Sequence, residues 1–197
     1  MRKALFICLA VCSVYSPVTG QEGTAEPVET IGIHFIFNDF ATALDIRSSS
    51  LSTVLNNNRF GKLKNMSQGL ALSYSKGLSK YFDFTSMLAG SFLAYPMPGK
   101  ESESGGQSLL LEGDASIRGR MFTNNYWVVP YLQLGAGISY YKGYWGTFIP
   151  AGVGLQINFF DEAYLLINSQ YRIAVSETAN YHFVYSIGLV GNIGGRD

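Results

Sequence analysis

Five charged residues stand out by their spacing. Glu112, Asp114, Arg118 and Arg120 all have even numbers, so an extended chain projects them from one face, and Arg172 lies on a later segment with the same parity. Two carboxylates and three guanidiniums enclosed in one space would form ion pairs there, because unpaired buried charge is expensive. Such pairs hold the space shut as a plug, or act as a gate by exchanging partners to open a narrow channel. His34 and His182 are the other candidates for chemistry. A histidine pair can bind a metal or serve as a base, yet no third ligand and no nucleophile stand near them. They are expected to be hydrogen-bonded interior side chains, and no metal or other cofactor is expected. Gly135-x-Gly137 and Gly152-x-Gly154 lack the third glycine and the following helix of a phosphate loop. They are expected instead to relieve crowding between paired strands.

Strands are the elements that would position these residues. From residue 31 the apolar Ile31, Ile33, Phe35 and Phe37 alternate with Gly32, His34, Ile36 and Asn38. Period two over this length is a strand with two chemically different faces. The clearest case sets Leu109, Leu111, Ala115, Ile117 and Met121 against the four charged residues of the fourth strand. Six further segments repeat the pattern, around 69–75, 82–92, 128–140, 149–159, 165–175 and 181–193. Eight strands are thus expected. Their connections sort into tight turns at 78–81, 122–126 and 160–162, and longer loops at 41–66 and 96–107, while the loops after strands five and seven are short. Leu51, Val54 and Leu55 have the spacing of one helical face, so a short helix is expected within 41–66. That segment also carries Arg47, Arg59, Lys62 and Lys64, which suit either a surface ligand or a solvated cap against lipid head groups.

Composition says which way the faces point. Of the 197 residues, 47% are hydrophobic and only 14% charged, against roughly 25% charged in a soluble domain. No apolar run approaches the ~20 residues of a membrane-spanning helix. The 13 Tyr, 13 Phe and 22 Gly suit strands and tight turns. The polar parity carries the charge and much of the glycine, alanine and serine, whereas the apolar parity carries no charge at mid-strand; Lys76, near a strand end, is the exception. A soluble barrel would need a richer solvent face, so lipid is expected outside and a polar lumen inside. Trp127 and Tyr131 near one end of the fifth strand, and Tyr140 and Trp145 at the other, are expected to be interface aromatics.

Residues 1–20 read as a signal peptide: basic Arg2 and Lys3, an apolar run from Ala4 to Val14, then small residues up to Gly20. Both cysteines, Cys8 and Cys12, fall inside it, so disulfides and thiol chemistry are not expected in the mature chain; lipidation of Cys12 is the minor alternative. Residues 21–28 form a polar link. Without the leader the chain carries 12 basic and 14 acidic residues, which gives no reason to expect nucleic acid as a partner.

The rhythm over 29–194 resembles the OmpA-like outer-membrane β-barrels. It is similar above all to small barrels of the Bacteroidetes group, in phrases such as Gly143-Tyr144-Trp145-Gly146 and Asn158-Phe159-Phe160-Asp161-Glu162-Ala163-Tyr164. The last strand resembles an outer-membrane assembly signal with Gly191 and Ile193 in place of aromatics, which implies handling by the barrel assembly machinery. The expected fold is therefore all-β, an eight-stranded antiparallel up-and-down transmembrane β-barrel, monomeric, in contact with outer-membrane lipid and lipopolysaccharide. The expected role is structural or surface-interacting, with at most a narrow pore for small solutes and no enzymatic activity. The alternatives are a lipid-modifying outer-membrane enzyme and a soluble lipocalin-like carrier of an apolar ligand. The first would need a nucleophile and base on the outward parity, which offers no histidine.

Overall fold

The computed structural model describes residues 28–98, 106–123, 126–159 and 163–193. The expected leader with Cys8 and Cys12, the link up to residue 27, the 160–162 turn, the tail from residue 194 and the middle of the 96–107 loop lie outside the described residues. The strands are β1 (Glu29–Asp39), β2 (Ser67–Gly77), β3 (Phe82–Leu93), β4 (Ser108–Arg120), β5 (Val128–Tyr141), β6 (Tyr144–Asn158), β7 (Ala163–Ala174) and β8 (His182–Asn192). Each pairs antiparallel with the next, and β8 returns to pair with β1, so the sheet closes and leaves no edge.

Alternation decides the two surfaces. Along β1, Ile33 and Phe35 are 60% and 63% exposed, while His34 between them is 3% exposed. Leu134 on β5 and Leu189 on β8 are likewise bare, whereas Arg172 on β7 is fully buried. Apolar side chains cover the outer wall and polar ones fill the inside, the inverse of a water-soluble barrel. A carrier that encloses an apolar ligand is thereby overturned, because the interior is polar. An outer wall of this kind cannot face water, and strands of 11 to 15 residues are long enough to cross a bilayer at a tilt. Neither helix is long and apolar enough to cross one. Lys76, the exception on the apolar parity, sits at the rim of the short turns and pairs with Glu29 at 2.6 Å.

The connections divide as the sequence suggests. A four-residue turn joins β2 to β3, and Lys142 and Gly143 alone join β5 to β6. Both have positive φ, 47° and 90°, as the two-residue turn matched to strand twist requires. At that same end of the barrel the chain between β1 and β2 builds two helices, α1 (Phe40–Ser48) and α2 (Leu51–Asn56), and a 3-10 turn at Leu63–Asn65. The expected helix is α2, with Val54 buried but Leu51 and Leu55 exposed. The other helix, α1, was not anticipated. It begins because Asp39, the last residue of β1, caps it: one carboxylate oxygen accepts the Thr42 N–H at 2.9 Å and the other accepts the Thr42 hydroxyl at 2.6 Å. The helix then packs against β8.

Inward glycines make room for large neighbours. At Gly154 a Cβ would fall onto the Tyr131 ring and the Ile167 carbonyl, whereas at outward Gly90 it would find only ordinary contact 3.7 Å from Leu111. Gly154→Ala should therefore lower stability by about 1–3 kcal/mol by overpacking, with Gly90→Ala near neutral. Urea unfolding of the two variants in detergent measures the contrast, and equal midpoints would contradict this packing.

Candidate functional site

Inside the barrel the charged residues form two groups along the axis. Toward the long-loop end, the Arg172 guanidinium from β7 meets Glu112 and, at 3.5 Å, Asp114, both from β4 across the lumen. His182 completes this group, with Nε2 3.4 Å from Glu112 Oε1 and Nδ1 3.0 Å from the Asn180 carbonyl. All four are almost completely buried, and Arg172 also lies 4.7 Å over the Phe148 ring. Toward the short-turn end, Arg120 pairs with Asp83 at 3.0 Å and reaches the carbonyls of Ser79 and Lys80.

Arg118 lies between the groups and behaves differently. Among the described residues no carboxylate comes within 4 Å of it; its guanidinium stacks on the Tyr131 ring at 4.6 Å. Arg118 Nε, His34 Nδ1, Tyr131 Oη, Asn168 Oδ1 and Gln170 Oε1 all lack a protein partner and border one cavity of about 20 Å³. That is room for roughly one water molecule, so among the described residues side chains fill this stretch of the lumen.

An aromatic seal covers the first charged group. Phe40, the first residue of α1, stacks on His182 with centroids 4.5 Å apart and meets Tyr95 edge-on at 5.3 Å. Tyr95 packs on Tyr141, whose hydroxyl donates to the Leu93 carbonyl at 3.1 Å. Leu93, Tyr95, Met97, Leu110 and Tyr141 form one buried cluster here. Burial, followed by the Glu112 charge, pushes the Tyr95 phenol well above its usual pKa, and its oxygen accepts the Asn180 N–H at 2.6 Å.

Several expectations need correction. Tyr131 is not an interface aromatic: it is 1% exposed inside the lumen, because its parity on β5 is that of Gln133. Trp127, Tyr140 and Trp145 do lie on the outside at the strand ends, the last two with rings 4.9 Å apart. Both histidines face inward on neighbouring strands but make no pair, since His34 is opposite Gly188, six positions along β8 from His182. His34 Nε2 instead meets the Ser73 hydroxyl at 2.7 Å. Among the described residues no three metal-ligating side chains cluster. Asp83 was missing from the expected charge set, although its place on the polar parity and the tight β2–β3 turn could have paired it with Arg120.

A closed barrel of eight antiparallel strands, apolar outside and filled with paired charge, matches solved structures over most of its length. The crystal structure of Neisserial surface protein A covers 84% of this chain and 97% of its own, at 14% identity and a TM-score of 0.54. The N-terminal β-barrel domain of Pseudomonas aeruginosa OprF covers 85% and 100%, at 8% identity and 0.53. Ail, the attachment invasion locus protein of Yersinia pestis, solved with the heparin analogue sucrose octasulfate, covers 85% and 98%, at 16% identity and 0.50. This is a membrane-spanning barrel of the outer-membrane type. No protein-family model matches the chain, and no curated protein does either. In the small outer-membrane barrel fold, long loops and tight turns mark opposite membrane faces, with the long loops outermost. The helical segment between β1 and β2 caps the long-loop end of the barrel, and the Arg172 group lies in that half of the lumen.

Proposed function

We propose that this chain is a non-catalytic integral barrel of a bacterial outer membrane, related to the small barrels of the Bacteroidetes group, that acts through its outer cap while its lumen stays closed. The observation that carries the reading is the plug: Arg172 held by Glu112 and Asp114 beneath Phe40 and Tyr95. With the interior filled, contact with other molecules falls to the cap. Its Arg47, Arg59, Lys62 and Lys64 are all exposed, and so are the apolar Leu44 and Leu63 at 66% and 71%. A cationic surface with bare leucines suits an anionic, partly apolar partner such as lipopolysaccharide or a surface glycan. Ail, with its bound sulfated sugar analogue, offers a precedent on the same fold. Delivery to the membrane would use the barrel assembly machinery.

Planar-bilayer recording tests the plug. The folded protein should give no stable openings, and Glu112→Gln, which removes a partner of Arg172, should leave it silent if the ion pairs are structural. Steady single-channel current from the native chain would overturn the closed-lumen reading, and current only in the variant would favour a gate. For the cap, the triple charge reversal of Arg59, Lys62 and Lys64 should weaken adhesion to immobilised heparin by roughly tenfold or more, about 1.4 kcal/mol. Unchanged adhesion would move the contact elsewhere.

A further inference from the structure

The outer wall is not uniform. Val153, Ser169, Tyr185 and Phe37 stand opposite one another on β6, β7, β8 and β1, so they form one outward row across four strands. Ser169 is the small member, and around it the wall sinks into a groove of about 370 Å³ that Leu155, Ile167 and Ile187 also line. A depression in the face that meets hydrocarbon is a seat for an acyl chain, since a chain lying in it makes more van der Waals contact than one on a flat wall.

From the groove a column of rings climbs the outside of the barrel. Tyr185 stacks on Phe183 at 6.0 Å, Phe183 meets Tyr171 at 4.7 Å, and Tyr171 meets Tyr181 at 6.2 Å. The cap leans over the rim onto this column: Phe60 touches Phe183 at 5.8 Å, and the Arg47 guanidinium lies 3.8 Å over the Tyr181 ring. Arg47 is exposed, and its guanidinium rests on the ring face, which leaves its N–H donors directed to an anion. Tyr181 and Tyr185 are four residues apart, roughly 13 Å at the rise of a strand. An apolar slot thus ends, about one acyl-chain length away, at a cation beside the membrane surface.

We propose that this groove and Arg47 together bind one anionic phospholipid, its acyl chain lying over Ser169 and its phosphate against the guanidinium. The charge selects the head group and the slot selects the chain, so neither free phosphate nor a neutral lipid satisfies both ends. The inference shares Arg47 with the cationic cap of the proposed function but is read out separately, since charge reversal of Arg59, Lys62 and Lys64 leaves Arg47 and the groove intact.

The test is native mass spectrometry of the full chain folded in detergent and titrated with dimyristoyl phosphatidylglycerol or dimyristoyl phosphatidylcholine. One phosphatidylglycerol should remain bound in preference to phosphatidylcholine, and excess inorganic phosphate should not displace it. Ser169→Leu fills the slot from the lipid side without touching the lumen, and should weaken retention roughly tenfold. Arg47→Gln should abolish the preference between the two lipids. Both variants are first checked for the folded, heat-modifiable form on a gel. Equal retention of the two lipids by the native chain, or unchanged retention by Ser169→Leu, would overturn the proposal. Protein that stays soluble without detergent would instead refute the membrane reading before any lipid is added.

Discussion

Replacing Arg172 with methionine is expected to cost about 3–5 kcal/mol, the largest loss from any single lumen substitution, because it strands two buried carboxylates. Glu112 and Asp114 both depend on this one guanidinium, and His182 alone is a poor substitute at 3.4 Å from Glu112. Urea unfolding in detergent measures the loss; a change below about 1 kcal/mol would mean that the network is wet and its charges screened. A second variant separates pairing from packing. Removing all three charges together, as Glu112→Gln, Asp114→Asn and Arg172→Met, should recover much of the stability, since what is costly is a charge left alone. If the triple variant is as weak as the single one, the ion pairs contribute more than mutual neutralisation.

The other large effect lies on the opposite wall. Leu134 is 61% exposed near the middle of β5, so Leu134→Arg sets a charge near the centre of the hydrocarbon and should cost about 2–4 kcal/mol. At the strand end, Trp145→Arg should cost about 1 kcal/mol or less, because an arginine there reaches the head groups. Equilibrium folding into phospholipid vesicles gives both values. A dependence on depth is the signature of lipid, and two equal small losses would signal a wall that meets water.

Parity carried most of what the sequence disclosed. It placed the inward and outward residues of all eight strands, because a one-residue slip would turn charge into lipid and the pattern tolerates no ambiguity. Parity says nothing about height along the barrel axis, which is why His34 and His182 looked like a pair and are not. Height comes from register, and register depends on turn geometry and closure, which no single strand records. Tyr131 follows its parity rather than the preference of amphipathic rings for interfaces: it shares a face of β5 with Gln133 and meets Arg118 inside. The α1 helix was hidden because its strength lies in a cap made by the final residue of a strand, Asp39, rather than in an apolar stripe. The seal of Phe40, Tyr95 and Tyr141 gathers residues from three separate parts of the chain, and no local pattern joins them.

Closure of β8 onto β1 has a consequence for the order of events in making this protein. The two strands are the first and last of the barrel, so the seam forms only after β8 has been synthesised. Until then any sheet the chain builds has two raw edges, which lipid cannot solvate and which other chains can capture. Until that seam forms, both edges need a partner or a shield. Such a chain has to be shielded from its release at synthesis until its first and last strands meet.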